Sequence, residues 1–131
     1  MSLSWDDSQW PLVVDVFSQQ PTDDDIRDYN ARRAERLARA ERHAQLIDGR
    51  AGVRMSRRHR RIIAAFDAQN RKSQKRYLAG VALVTTSPVL RIVLQTIYRL
   101  TPSVCPRKPC ESVAEANSWA QGLLRDSPAL R

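Results

Sequence analysis

The chain has 131 residues, a length that fits one domain (1–131) and can bury a core without disulfides or metal. Its hydrophobic share of 42% and charged share of 27% are those of an ordinary globular protein, and no segment approaches the roughly 18 consecutive apolar residues of a membrane span. The net charge of +8 speaks to partners and solubility rather than to fold, and Met1 to Asp7 lack the basic start and apolar run of a secretory signal, so a cytoplasmic location is expected.

Trp5 and Trp10 flank a polar, turn-like stretch, which suggests a short first strand and a hairpin. Leu12 to Phe17, β-branched and aromatic, reads as the next strand. Pro21 to Asp25 opens a helix. Thr22 can cap it, three aspartates suit its positive end and Arg36, Arg39 and Arg42 suit its negative end, a pattern that reads as helix design rather than a site. Ala44 to Asp48 is a short strand. Ser56 then caps a second helix of about twenty residues, whose inner face is Ile62, Ile63, Phe66, Ser73 and Tyr77 and which is expected to stop at Gly80.

Val81 to Thr86 is a continuous apolar run, which predicts a central strand buried on both faces. Ser87-Pro88 starts a third helix, apolar nearly all round, that ends at Thr101-Pro102. A short edge strand follows near Lys108 to Glu111. Ser112 to Glu115 has the pattern of a capping box for the last helix, whose core face is Ala116, Trp119, Ala120, Leu123 and Leu124 and which Ser127-Pro128 closes. Alternating strands and helices predict an α/β fold with a largely parallel or mixed sheet of four to five strands and about four helices.

That order, with Trp10-Pro11-Leu12-Val13-Val14, Leu46-Ile47-Asp48, Ala79 to Val84, Ser87-Pro88 and Ser112 to Trp119, resembles the STAS and SpoIIAA-like domains of bacteria. The resemblance covers most of the chain and implies a SpoIIAA-like fold and a regulatory or interaction module without catalysis. It also places the family's phosphoserine position near Ser56. The family's Asp-Ser-Ser-Gly run is absent; Met55-Ser56-Arg57-Arg58 stands in its place.

Ser56 therefore has two readings, a helix cap or a phosphoacceptor lying on a helix N-terminus among arginines. Arg54, Arg57, Arg58, Arg60 and Arg61, with Arg71, Lys72, Lys75 and Arg76 further on, share their stretch with one acid, Asp67. They are either a solvated face paired with acids elsewhere (Asp23 to Asp25, or Glu35) or a surface for an acidic protein, a lipid head group or nucleic acid. Leu90, Val93, Leu94 and Ile97 of the third helix are either covered by the final helix or meet a second copy, another protein or a lipid. Asp48 at a strand's carboxyl end is a weak ligand candidate, or a turn-stabilising Asp.

No metal site is expected, since zinc needs four ligands and Cys105, Cys110, His43 and His59 do not cluster in sequence; the cysteines read as free thiols near a strand edge. No cofactor is expected, because the glycines lack a phosphate-loop pattern and no nucleophile elbow occurs. The sequence thus points to a non-enzymatic domain that binds a protein partner or itself, with binding of anionic lipid or nucleic acid through the second helix as the alternative.

Overall fold

The structure, a computed structural model, describes residues 3–126. Its elements run β1 (Leu3–Asp6), β2 (Leu12–Phe17), α1 (Asp23–Ala38), β3 (His43–Asp48), α2 (Arg57–Gln69), α3 (Arg71–Tyr77), β4 (Leu78–Val84), α4 (Pro88–Leu100), β5 (Arg107–Cys110) and α5 (Val113–Arg125). The strands form one mixed sheet in the order β1-β2-β3-β4-β5, with β1 antiparallel to β2 and every later pair parallel. The expected α/β architecture and the N-terminal hairpin are present; the helices described are five. The expected Ser127-Pro128 stop lies outside the described residues.

Each parallel neighbour is reached through a helical crossover. When such crossovers keep one hand and step in one direction along the sheet, their helices gather on one face. Alternation along β3 shows the outcome. Ile47 belongs to a cluster with Phe17, Ile26, Tyr29 and residues of α2, while Leu46 belongs to one with Leu12, Ala82, Val84 and residues of α5. Among the described residues, α5, which follows the last strand, alone lies on the opposite face.

Caps explain the helix starts. In α1 the Thr22 hydroxyl accepts from the Asp25 N–H and the Asp25 carboxylate accepts from the Thr22 N–H, a reciprocal box. Ser112 accepts from the Glu115 N–H, but the Glu115 carboxylate turns to the Glu111 N–H instead, so the box expected there is half formed.

The predicted twenty-residue second helix is two helices. Asn70 sits between them at φ −109° and ψ 19°. Its side-chain amide donates to the Phe66 carbonyl at 2.9 Å, a local bond that competes with the helical ladder. The helical stretch then ends at Tyr77, and Gly80 is inside β4 rather than a helix stop. The reason is packing: a Cβ on Gly80 would lie 2.4 Å from Leu123 Cδ1 and 3.2 Å from Trp119, so α5 requires a bare backbone there.

β4 is an interior strand, yet it is not buried on both faces as its apolar run predicted. Ala82 and Val84 are fully covered beneath α5, whereas Val81 and Leu83, on alternate positions, are only half-buried. The shortfall arises because α4, the helix that follows β4, packs against β5 at the sheet edge instead.

Candidate functional site

Among the described residues, six of the seven exposed large hydrophobic side chains lie on α4. Ser87 caps it by accepting from the Leu90 N–H at 3.1 Å, and Pro88 opens its first turn. The helix turns toward the protein with Arg91, Leu94 and Tyr98, spaced i, i+3 and i+7. Arg91 donates to the Thr85 carbonyl at 2.9 Å and approaches Glu111 at 3.7 Å. Tyr98 lies under the Arg107 guanidinium, 4.3 Å from its ring centre, and burial pushes its phenol pKa up.

The opposite side of α4 is apolar and open. Val89 is 72%, Ile92 64% and Leu100 76% exposed, and Leu90, Val93 and Ile97 between them are also exposed. An ordinary surface helix turns its apolar stripe inward; α4 is inverted. The final helix does not cover it, since α5 packs on β3, β4 and β5. Of the residues singled out from sequence, Leu90, Val93 and Ile97 lie on this stripe, while Leu94 lies on the inner side and is half-buried. Val89, Ile92 and Leu100 complete the stripe; helical spacing on α4 could have found them once its inner side was known.

The basic residues lie around the start of α2. His59, Ile62, Ile63 and Phe66 turn inward, and Arg54, Arg57, Arg58, Arg60 and Arg61 are exposed. Most of the acids proposed as their partners are engaged elsewhere. Asp24 pairs with Arg27, Asp25 caps α1, and Glu35 pairs with Arg32. Asp23 alone reaches α2, at 3.3 Å from Arg58 and 2.7 Å from His59 Nε2. Its hydrogen bond to His59, helped by the nearby Arg58, lowers its pKa. Arg60 donates to the Met55 carbonyl, and Arg57 and Arg61 have no ion pair among the described residues. Four arginines therefore crowd the positive end of a helix dipole, where cations are disfavoured.

Ser56 is the N-cap of α2, its hydroxyl accepting from the His59 N–H at 3.0 Å. Asp48 ends β3 with both carboxylate oxygens bonded to the Arg50 side chain and one also to the Arg50 N–H. Those bonds lower its pKa. Cys110 is buried in the core and Cys105 is half-buried, both as free thiols, and burial raises the pKa of each. No group of three or more metal-ligating side chains occurs among the described residues, and no helix among them is long and apolar enough to cross a membrane.

The sequence accounts for Arg36 only as a basic residue suited to the negative end of α1, but it is buried, and so is Arg33 one turn before it. Arg36 pairs with Asp15 of β2 and with Asp7, and Gln45 of β3 donates to Asp15 at 2.7 Å and to the Tyr29 hydroxyl at 3.0 Å. Burial disfavours the Arg36 charge, but its bonds to Asp15 and Asp7 outweigh that cost and hold its pKa above that of a free guanidinium. Arg33 pairs with Asp67 of α2 at 2.6 Å.

No family model and no curated protein matches the sequence. Among solved structures, the chain is similar to an uncharacterized protein of the DUF3478 family with a SpoIIAA-like fold from Shewanella loihica PV-4. The TM-score is 0.69, with 15% sequence identity over 91% of this chain and 92% of that one. The chain has a SpoIIAA-like fold, as its element order had suggested; at this identity the likeness carries the fold alone.

Proposed function

We propose that residues 1–131 act as one non-enzymatic interaction domain that docks a protein partner through the outer face of α4. The observation that carries this reading is the inverted helix, with Val89, Ile92, Val93, Ile97 and Leu100 all turned to solvent. Fully burying one such side chain is worth about 1.5–3 kcal/mol, so covering several of them is a large driving force. The stripe runs about 20 Å along a 13-residue helix, and no acidic residue interrupts it. A second copy is the simplest occupant, because two such stripes laid antiparallel are self-complementary about a two-fold axis. A non-enzymatic role is supported by the engagement of the inner carboxylates: Asp15, Asp48 and Asp67 are each held by an arginine.

Sedimentation of the purified chain tests this. A dimer is expected that Ile97→Asp and Val93→Asp each convert to a folded monomer, with little sensitivity to salt. A chain that stays monomeric at the highest soluble concentration, or a dimer indifferent to both substitutions, refutes the self-docking reading.

A second reading has its own support. Among the described residues, Arg57 and Arg61 stand without acidic partners at the start of α2, which suits binding of an anionic lipid head group, acidic protein or nucleic acid there. Such binding weakens steeply with salt and is lost on charge reversal at Arg57, Arg58, Arg60 and Arg61.

A further inference from the structure

A groove of about 420 Å³ opens between α1, α2, α3 and the loop from Pro102 to Cys105. That volume lies within the range of small-molecule sites, about 300–1,000 Å³. Its floor is the sheet itself, with Ile47 of β3 and Val81 of β4, both half-buried. Interior parallel strands are normally covered on both faces. Here the floor is open because α4 stands at the β5 edge.

The groove is apolar below and cationic at its wall. Among the described residues Asp67 is its one carboxylate, and it is taken by Arg33 at 2.6 Å and by Gln74 at 3.0 Å. Arg33 is held in turn, its guanidinium 4.6 Å from the Tyr29 ring centre and 4.2 Å from that of Phe66. Arg71 and Arg107 line the same groove with no carboxylate partner among the described residues. Arg107 is fixed in place, stacked on Tyr98 and donating to the Thr101 carbonyl. With one acid already neutralised, the wall carries an excess of positive charge over Ile47 and Val81, beside which the polar groups of Gln45 and Tyr29 are bonded to each other.

We propose that this groove is a binding site for a small amphipathic anion, with an apolar body on Ile47 and Val81 and a carboxylate or phosphate facing Arg71 and Arg107. A neutral apolar molecule leaves those cations unanswered. A bare inorganic anion leaves the floor wet. Only the combination satisfies both, since charge-assisted hydrogen bonds and apolar burial act on separate parts of the ligand.

Titration calorimetry of the full chain with decanoate, decyl phosphate, decan-1-ol, decyltrimethylammonium, acetate and inorganic phosphate tests this, with amide chemical shifts locating each contact. Saturable binding of decanoate or decyl phosphate is expected, with shifts on β3, β4 and the Pro102–Cys105 loop. Decan-1-ol and the two bare anions should bind at least about tenfold more weakly, the worth of a charge-assisted contact or of the lost chain. Arg71→Glu, a change at an exposed side chain, should weaken the better anion about tenfold, and Ala68→Trp, which fills the groove from its rim, should abolish binding. The proposal is overturned if decan-1-ol or decyltrimethylammonium binds as tightly as decanoate, if the shifts fall on the outer stripe of α4 and not on β3 and β4, if Arg71→Glu has no effect, or if neither amphipathic anion saturates.

Discussion

Arg36 of α1 and Asp15 of β2 meet face to face inside the protein, with two parallel hydrogen bonds of 2.8 and 2.9 Å and almost no solvent exposure on either side chain. The pair ties the helix to the middle of the sheet, and Asp7 from the β1–β2 hairpin accepts further bonds from Arg36, the shortest at 2.7 Å. Such a pair is costly to desolvate, and its removal as a unit differs from its breakage.

Breaking it is expected to be severe. Arg36→Met leaves Asp15 buried without its guanidinium partner, and Asp15→Leu leaves Arg36 with Asp7 alone. Each should cost about 3–5 kcal/mol in urea unfolding, the usual range for stranding one member of a buried pair. The double variant should cost less than the sum of the two singles, because neither charge is then left unanswered inside. Simple additivity in that cycle would show that the two side chains do not interact.

This pair also marks the limit of what the sequence could disclose. The strand and helix order was legible because β2, α1 and the Ser87-Pro88 start of α4 each carry strong local signals. Arg36 was not, because a basic residue near a helix end is already explained by the dipole, while its partners lie 21 and 29 residues away. The Asn70 break and the early start of β4 escaped notice because the decisive interactions, a side-chain bond to Phe66 and the approach of Leu123 to Gly80, are matters of three-dimensional placement. The α4 stripe was half legible: its apolarity is local, but which side faces out depends on the anchoring of Arg91 and Tyr98.

Asp48 gives a pH test. Its folded pKa is lowered by the Arg50 hydrogen bonds, so it favours the folded state above its unfolded pKa, near about 4. That contribution is lost as pH falls through the lower folded value, where the carboxylate is protonated in both states. Arg50→Gln should therefore destabilise the protein at neutral pH, and the gap from the parent should close on acidification. A gap that is constant with pH would mean that the Arg50 side chain acts through packing alone.

The crowded start of α2 predicts a stabilising substitution. Arg57 and Arg61 lie on the exposed side of the helix, near its positive end. Arg57→Glu replaces an unfavourable charge with a favourable one at the first helical residue, worth about 0.3–1 kcal/mol at low salt. Its melting temperature should rise, and the gain should shrink as added salt shortens the screening length. The same substitution should weaken any binding of polyanions. A gain in stability together with a loss of binding would identify these arginines as kept for a partner rather than for the fold; a fall in melting temperature would contradict the dipole argument.

Two glycines on the same face of the molecule should respond in opposite ways to alanine. At Gly80 the new methyl group meets Leu123 Cδ1 at 2.4 Å, with the Pro106 carbonyl oxygen and Trp119 at 3.2 Å. Leu123 can turn aside, but the Pro106 oxygen, which accepts from the Val81 N–H, and the Trp119 ring must both give way, so the packing of β4 against β5 and α5 loosens at a cost of about 1–3 kcal/mol, typical of overpacking. Gly122 lies within α5, and a methyl group there meets nothing closer than the Arg125 side chain at 3.8 Å. Removing its backbone freedom should stabilise the helix by about 0.5–1 kcal/mol. Thermal unfolding of the two variants, followed by circular dichroism, checks both signs at once. Equal effects at the two positions would mean that helix propensity, and not the close approach of α5, governs this face of the sheet.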